Sequence, residues 1–414
     1  MSVIKNPALA SSGNQKIRWV KDFMPTLTKI GIELAKKQTF AGFKIGMSIH
    51  MEAKTAYLAT ILSNAGASVF ITGCNPLSTQ DDIAAALATN TNDIEVYAIH
   101  GVDEETYRRH LKAVLLHQPD LIIDDGGDLL EAYCDLPESK RWPVIGGCEE
   151  TTTGVLRLRQ RQKQKTLPFP MIDINDARCK HYYDNRYGTG QSVLEAIMHA
   201  TNTLIAGKNV VIAGYGYCGR GIAMRAHGLG AKVIVCEIDP AKALEAHHDG
   251  FIVMKMEKAA PIGDYFITAT GCKDVITSAH FNKMHNNAFL ANAGHFDVEI
   301  NLKQLRSISK STSERRNGVT GYHLSYNHTL NVLAEGRLVN LAAGDGHPAE
   351  IMDMSFSLQT LGLKYLIDHH GTLSRKVYNL PRDIDDSVAW SKLDALGIKI
   401  DQLTVDQYSY YSPN

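Results

Sequence analysis

The chain contains no C-x-x-C pair, no excess of either charge and no long apolar run. Each absence removes a class of protein. The seven cysteines, Cys74, Cys134, Cys148, Cys179, Cys218, Cys236 and Cys272, are odd in number and scattered. That distribution argues against a disulfide framework and against a zinc site, and it suits reduced thiols in a cytoplasmic protein. Lys and Arg total 43 against 44 Asp and Glu, so the basic excess of a nucleic-acid binder is missing. No stretch approaches the ~18 apolar residues that a membrane helix needs, and no signal peptide is expected from the first residues. No internal repeat or low-complexity segment interrupts the sequence. With 44% hydrophobic and 21% charged residues, the composition is that of a folded chain rather than a disordered one. At roughly 150 residues per domain, the length predicts two to three domains.

What is present is an alternation of short apolar runs with helix-like stretches. Strands are expected at 44–49, 68–72, 94–99 and 121–123, with helices at 53–65, 81–89 and 104–117. A second series of strands is expected at 209–213, 232–236, 265–268 and 288–291, after a helical connection near 190–206. Strands alternating with helices imply parallel βαβ units. The fold class expected is therefore α/β, with two doubly wound parallel-sheet domains, the second a Rossmann domain inserted in the first. Ligands of such sheets bind beyond the carboxyl ends of the strands, where Asn75-Pro76 and Asp124-Asp125-Gly126-Gly127-Asp128 fall. The cleft between two domains is a second favoured place.

The strand at 209–213 runs into Gly214, Gly216 and Gly219, a G-x-G-x-x-G pattern followed by helix-like sequence. The first glycine permits a tight turn, the second lets the backbone approach a pyrophosphate, and the third lets helix and strand pack closely. Glu237 follows about 20 residues later, where its carboxylate can accept from a ribose 2′-hydroxyl and repel a 2′-phosphate. The expected cofactor is NAD rather than NADP, although Arg220 is of the type that favours a phosphate. On their own, three spaced glycines are an ordinary turn. Here strand, helix, second strand and acid stand in register.

Five further segments concentrate polar residues: Ser78-Thr79-Gln80-Asp81, Asp124 to Asp128, Glu149-Glu150-Thr151-Thr152-Thr153-Gly154, Gly294-His295-Phe296-Asp297-Val298-Glu299 and Gly346-His347-Pro348. Together they resemble the S-adenosyl-L-homocysteine hydrolase family, from about Trp19 to the end of the chain. The resemblance implies NAD-dependent, reversible hydrolysis of S-adenosyl-L-homocysteine to adenosine and homocysteine. Bound NAD would oxidise the 3′-hydroxyl, which acidifies the 4′ proton. Homocysteine would then leave from C5′, water would add, and the ketone would be reduced again. The cofactor carries the redox chemistry and the protein supplies orientation and proton transfer.

Carried over by position, the resemblance assigns His50, Asp125, Lys180, Asp184 and His295 to catalysis. Glu52, Lys54, Glu150 and His347 join Lys180 and Asp184 in holding substrate. Thr151, Thr152, Thr153, Asn185, Gly214, Gly216, Gly219, Glu237, Ala293 and Asn340 are assigned to NAD, and no metal ligand is expected. A lysine near the 3′-oxygen can take its proton if burial lowers its pKa. A plainer reading makes Lys180 and Asp184 a surface i,i+4 ion pair. It likewise makes His50 a satisfied histidine at a strand end, His295 a turn residue capping a strand, and Asp125 or Asp124 a turn cap. A homo-oligomer, a tetramer as in the family, is implied, with domains at 1–183 plus 348–380, at 191–345, and a helical tail at 381–414. The stretch 386–403 is suited to packing on a subunit partner.

Three departures from the family pattern stand out. Glu52 and Lys54 occupy positions that are Thr and Glu in the common form, where they address the adenine edge. A lysine suits the O6 acceptor of hypoxanthine and Glu52 could accept from N1–H, so S-inosyl-L-homocysteine is an alternative substrate. In a plainer reading Lys54 pairs with Glu52. The chain also ends without the family's longer tail carrying Lys and Tyr, which implies looser NAD. Finally, Thr189 and Gln191 replace Cys and Glu, and Asp345 precedes Gly346 in place of an apolar residue. The same site residues would also serve an NAD-assisted nucleoside lyase or dehydratase. An inactive NAD-sensing protein is a third class, against which the intact Lys180, Asp184, Asp125 and His295 argue.

Overall fold

A computed structural model describes residues 1–90 and 93–411. The end of the expected tail, 412–414, lies outside them. The first seven strands are β1 (Val3–Ile4), β2 (Lys44–Ser48), β3 (Ser68–Thr72), β4 (Ile94–Ala98), β5 (Leu121–Asp124), β6 (Gly146–Glu149) and β7 (Met171–Asp173). The chain then leaves for a second sheet. That sheet contains β8 (Asn209–Ala213), β9 (Lys232–Cys236), β10 (Ile252–Val253), β11 (Tyr265–Thr268), β12 (Phe289–Asn292), β13 (Ser311–Arg316), β14 (Val319–Ser325) and β15 (His328–Leu333). It returns to add β16 (Val377–Asn379) beside β7.

The first sheet has the order β1-β4-β3-β2-β5-β6-β7-β16, and all its pairings are parallel. Its strand order reverses between β2 and β5, so the crevice of the topological switch opens beyond Ser48 and Asp124. The second sheet has the order β10-β9-β8-β11-β12-β15-β14-β13, with its switch between β8 and β11. Six of its strands are parallel, but β14 and β13 are added antiparallel at the β15 edge, so this sheet is mixed rather than wholly parallel. The sequence pattern missed these two strands, because β13 (Ser-Thr-Ser-Glu-Arg-Arg) is polar and exposed along its whole length.

The strand interiors are Val, Ile, Leu and Phe buried on both faces, as parallel sheets require. Helix starts are set by side-chain caps: Glu52, Asp103, Thr151 and Asp239 each accept from amides of the first turn. Two long segments join the sheets. The outgoing one begins with a wide i→i+5 winding at His181–Gly188 and continues as the α-helix Thr189–Thr201. Such windings are rare and concentrate at functional sites. The returning helix is Ala349–Asp368.

That returning helix departs from ordinary amphipathic patterning, since Asp353, Ser355, Ser357, Gln359 and Thr360 are all fully buried. Asp353 accepts from the amides of Thr26 and Leu27 at 3.2 and 2.8 Å and from Lys392 Nζ at 2.9 Å. It thereby ties the helix Pro25–Lys37 to the helix Arg382–Ala395. The start of the stretch expected to pack on a partner subunit is thus packed against its own chain. Asp353→Ala leaves Lys392 and two buried amides unpaired, and it should lower unfolding free energy by about 3–5 kcal/mol. Urea unfolding reads this directly, and an unchanged midpoint would show that Lys392 reaches water instead.

Candidate active site

The carboxyl ends of the two sheets face each other, and three polar clusters fill the space between them. The first sits at the switch point of the first sheet. His50 follows β2 and Asp125 follows β5, and His50 Nε2 lies 3.6 Å from Asp125 Oδ2. His295, which follows β12 in the other sheet, places Nδ1 3.7 Å from Asp125 Oδ1. His50 Nδ1 is 2.6 Å from Ser78 Oγ. Burial pushes the His50 pKa down to about 4 despite the nearby Asp125, so this imidazole is neutral at pH 7. Gly126 makes the approach of His295 possible: φ is +106°, and a Cβ there would stand 2.3 Å from His295 Nε2.

Asp125 is free for this role because its neighbour holds the turn. Asp124 accepts from the amides of Asp125, Leu129 and Leu130. Glu149 similarly accepts from the amides of Gly126 and Thr151, and a Cβ on Gly154 would fall 2.1 Å from its carboxyl carbon. Glu299 accepts from the amides of Thr270 and Gly271 and fills the space a Cβ on Gly294 would take. Three acids of the sequence motifs therefore brace loops.

The second cluster is built around a buried ammonium. Lys180 Nζ lies 3.0 Å from Asp184 Oδ1, 2.8 Å from Asn185 Oδ1 and 3.4 Å from Glu150 Oε1. The pair is not on the surface: Lys180 and Asp184 are 4% and 2% exposed. Burial opposes the charge on Lys180, but Asp184 and Glu150 outweigh it and hold the ammonium above its ordinary range. The lowered lysine pKa expected from burial is therefore corrected: Lys180 is a firm proton holder. Glu150 moves the other way, raised by burial to about 7, and its Oε1 accepts no hydrogen bond. Asp184 is kept ionised by Lys180 and His347, against the effect of burial. His347 Nδ1 is 3.1 Å from Asp184 Oδ1, and its Nε2 is 3.3 Å from Thr189 Oγ.

Sequence reasoning missed the residues that support this cluster. Ser355 Oγ donates to Asp184 at 2.8 Å, and Gln359 Nε2 donates to Glu150 at 2.5 Å, both from the returning helix. Asn175 Oδ1 receives Asn185 Nδ2 and Thr152 Oγ. The available signal was Ser355, Ser357 and Gln359 alternating with apolar residues inside a helix.

The third cluster contains Glu52 and Lys54. Glu52 Oε1 accepts from Thr55 N and Thr55 Oγ, while Oε2 accepts from Lys54 N and sits 2.7 Å from Lys54 Nζ. A carboxylate has about four acceptor positions, and all four are filled. Lys54 Nζ also donates to the carbonyl of Asp345 at 2.8 Å, and Asp345 Oδ1 receives Gln80 Nε2. Lys54 thus bridges the start of its own helix to the segment that re-enters the first sheet.

The residues of the glycine-rich turn fit a dinucleotide. Gly214 has φ +96° and lies against Ala269 at the switch point. Nothing lies within 4 Å of a Cβ built on Gly216, whereas one on Gly219 would meet Gly214 O at 1.9 Å. The open face leads to the start of the helix Tyr217–Gly228. Glu237 stands at the end of β9, its carboxylate held by the amides of Tyr215, Ile238 and Asp239. Asn340 is buried, and its Oδ1 accepts no hydrogen bond while its Nδ2 donates to Ser192. That orphan acceptor matches a carboxamide donor. Ala293 is buried beyond β12, its amide bonded to Thr268 O. Arg220 pairs with Glu245 and lies over the rings of Tyr215 and Tyr217. Among Thr151, Thr152 and Thr153, the Thr151 hydroxyl caps a helix and donates to Glu149, so its oxygen is already engaged.

Comparison with known proteins agrees with this arrangement. Residues 2–143 match the S-adenosyl-L-homocysteine hydrolase family model, and residues 185–346 match the model of that family's NAD binding domain. The S-inosyl-L-homocysteine hydrolase of Methanocaldococcus jannaschii is 54% identical over 99% of this chain and 98% of its own. The adenosylhomocysteinase of Thermotoga maritima is 54% identical over 97% and 98%. The chain belongs to the S-adenosyl-L-homocysteine hydrolase family. It is an NAD-dependent hydrolase, and the second sheet is its NAD-binding domain. With Arg220 already paired and Glu237 at the strand end, NAD should bind tighter than NADP, and Glu237→Ala should narrow the difference. A fluorescence titration with both dinucleotides checks this; tighter NADP binding to the unmodified protein would reverse the assignment.

Proposed function

We propose that the protein hydrolyses the C5′–sulfur bond of an S-nucleosyl-L-homocysteine, releasing homocysteine and a nucleoside, and that the inosyl form is its better substrate. The observation that carries the reaction is the buried Lys180–Asp184–Glu150 group standing in one cleft with the His50–Asp125–His295 group. Bound NAD would accept a hydride from C3′ and return it after the elimination and addition of water. Gly214, Gly216, Gly219, Glu237, Ala293, Asn340 and Asn185 would hold it, with Thr152 and Thr153 at its edge.

The residues of this chain then divide the proton work. Glu150 and Asp184 hold the 2′- and 3′-hydroxyls. Glu150, with a pKa near neutrality and an oxygen that accepts no hydrogen bond, takes the 3′-hydroxyl proton, while Lys180 stays charged and donates to the 3′-oxygen. At the other end Asp125 orients His50 and His295 around C5′. The neutral His50 can accept a proton from water and pass one to the departing sulfur. A role in elimination alone has no specific observation in its favour. A homotetramer and a cytoplasmic location belong to the same reading, the unpaired cysteines suiting a reducing compartment.

The preference for the inosyl form rests on hydrogen-bond capacity at Glu52 and Lys54. Glu52 is saturated and cannot receive the N6 amino group of adenine, nor the N1–H of hypoxanthine. Lys54 has three donors, two of which are used on Glu52 and Asp345. The remaining donor is complementary to O6 of hypoxanthine and repels an amino group. Assaying free thiol from both substrates with the NAD-loaded enzyme should give kcat/KM in favour of the inosyl form, on the order of a hundredfold or more. The reverse order would overturn the base assignment alone; no thiol from either would overturn the reaction.

Because burial raises Glu150 and its carboxylate is the working form, kcat/KM should fall as pH drops through about 7. Lys180→Met removes the charge that opposes this shift, so the acidic limb should move to higher pH. The same variant should slow reduction of bound NAD by substrate without abolishing it, followed at the nicotinamide absorbance. A limb that stays in place in Lys180→Met would remove Glu150 from the proton transfer.

A further inference from the structure

The helix Thr152–Lys163 carries arginines at alternate positions, Arg157, Arg159 and Arg161. Arg159 bonds Asp173 at 2.8 Å and Asp176 at 3.0 Å, and Arg161 bonds Glu131 at 2.6 Å, all within the first domain. Arg157 reaches the cleft instead. Its Nη1 donates at 2.7 Å to the carbonyl of Gly126 and at 2.7 Å to Asp128 Oδ1. Its guanidinium carbon stands 5.9 Å from the centre of the Phe296 ring, which lies 4.7 Å from the His295 ring. Arg157 therefore touches the residue after Asp125 on one wall and the residue after His295 on the other. Both hydrogen bonds use Nη1, so among the described residues Nε and Nη2 of the fork carry none. Asp128 Oδ2 receives the Tyr107 hydroxyl at 3.0 Å, and each Asp128 oxygen keeps a further acceptor position. The two side chains are 32% and 27% exposed, so the pair is reachable from solvent.

We propose that Arg157 and Asp128 form the subsite for the amino-acid end of the substrate. Arg157 takes the α-carboxylate on Nε and Nη2, and Asp128 takes the α-ammonium. The inference rests on the reaction proposed above and assigns the one part of the substrate that the reading there leaves unheld. With C5′ between His50, Asp125 and His295, the departing sulfur stands beside the Asp125–Gly126 turn. Four single bonds of about 1.5 Å separate that sulfur from the carboxyl carbon, and they span roughly 5 Å when extended. A guanidinium anchored on the Gly126 carbonyl lies within that reach. Its planar fork matches a carboxylate with two parallel donors, which an ammonium does not offer. A lone arginine would accept any anion, whereas an arginine beside an aspartate is complementary to a zwitterion. As a part-exposed ion pair alone, Arg157 and Asp128 would add little to stability. With two open donors at the mouth of the cleft, they select among thiols.

Thioether synthesis, the reverse reaction, reads the subsite in the NAD-loaded enzyme. Homocysteine is compared with mercaptopropylamine, which lacks the carboxylate, and with mercaptobutyrate, which lacks the amine. Charge-assisted hydrogen bonds set the expected preference: kcat/KM for homocysteine should exceed that for mercaptopropylamine by about ten- to hundredfold. Arg157→Gln should remove most of that preference and should weaken mercaptobutyrate as strongly as homocysteine. Arg157→Lys, which keeps the charge without the fork, should lie between the two, and it carries the comparison if Arg157→Gln does not fold. Reduction of bound NAD by the nucleoside alone, which has no amino-acid end, shows that a variant's cleft is assembled. No preference in the unmodified enzyme, or a preference unchanged in both variants, would overturn the subsite. A loss shared equally by all the thiols would overturn it too, because Arg157 would then only hold the Gly126 turn. If the nucleoside fails to reduce bound NAD in the unmodified enzyme, the reaction itself is overturned and the subsite with it.

Discussion

The structure depends on one buried positive charge and the need to surround it. An ammonium out of water is costly unless it is paired and hydrogen-bonded, and Lys180 is 4% exposed. Its partners come from separate stretches of chain: Glu150 after β6, and Asp184 and Asn185 on the outgoing crossing. Those partners in turn need support from the returning helix, through Ser355 and Gln359. Satisfying one lysine therefore fixes where both connections between the sheets pass. The same arrangement sets the acid–base properties, since the charge that keeps Asp184 ionised also limits how far burial can raise Glu150.

The second constraint is topological. Each sheet reverses its strand order once, and the chemistry-bearing loops lie beyond those two points. His50 and Asp125 mark one reversal, Gly214 and Ala269 the other. His295 and Gly126 show how near the two loop sets come, because a single methyl group on Gly126 would collide with the imidazole. Asp345, Gln80 and Lys54 make a comparable contact where the chain re-enters the first sheet. The Glu52–Lys54 end of the cleft is consequently attached to the segment that re-enters the first sheet, and the His50–Asp125 end to the loop after β12.

Much of this was legible in the residues. The strands β2, β3, β4, β8, β9 and β11 follow from apolar runs ended by turn residues, and the glycine spacing after β8 follows from close packing. The polar edge strand β13 was not legible, because its pairing with β14 satisfies backbone groups and buries no side chain. Nor was the division of labour among neighbouring acids. Asp124 and Asp125 are equal in sequence, yet one spends its oxygens on three amides and the other keeps one oxygen unbonded. Glu149 and Glu150 each keep one oxygen without a hydrogen bond, but Glu149 spends its other oxygen on the amides of Gly126 and Thr151, whereas Glu150 faces Lys180.

Net charge shows the boundary between the two levels. The sequence by itself determined a near-neutral α/β chain, a dinucleotide turn with an acidic end to its second strand, and family motifs rich in polar residues. These follow from local rules: periodicity, glycine geometry and residue spacing. Only the tertiary structure decided that burial would not lower the Lys180 pKa, that Glu52 has no acceptor position left, and that Arg157 stands beside Gly126, Asp128 and Phe296. Each of those outcomes depends on summing partners brought from distant parts of the chain. Electrostatic and hydrogen-bond capacity are properties of the assembled neighbourhood, and a sequence gives the groups without their distances.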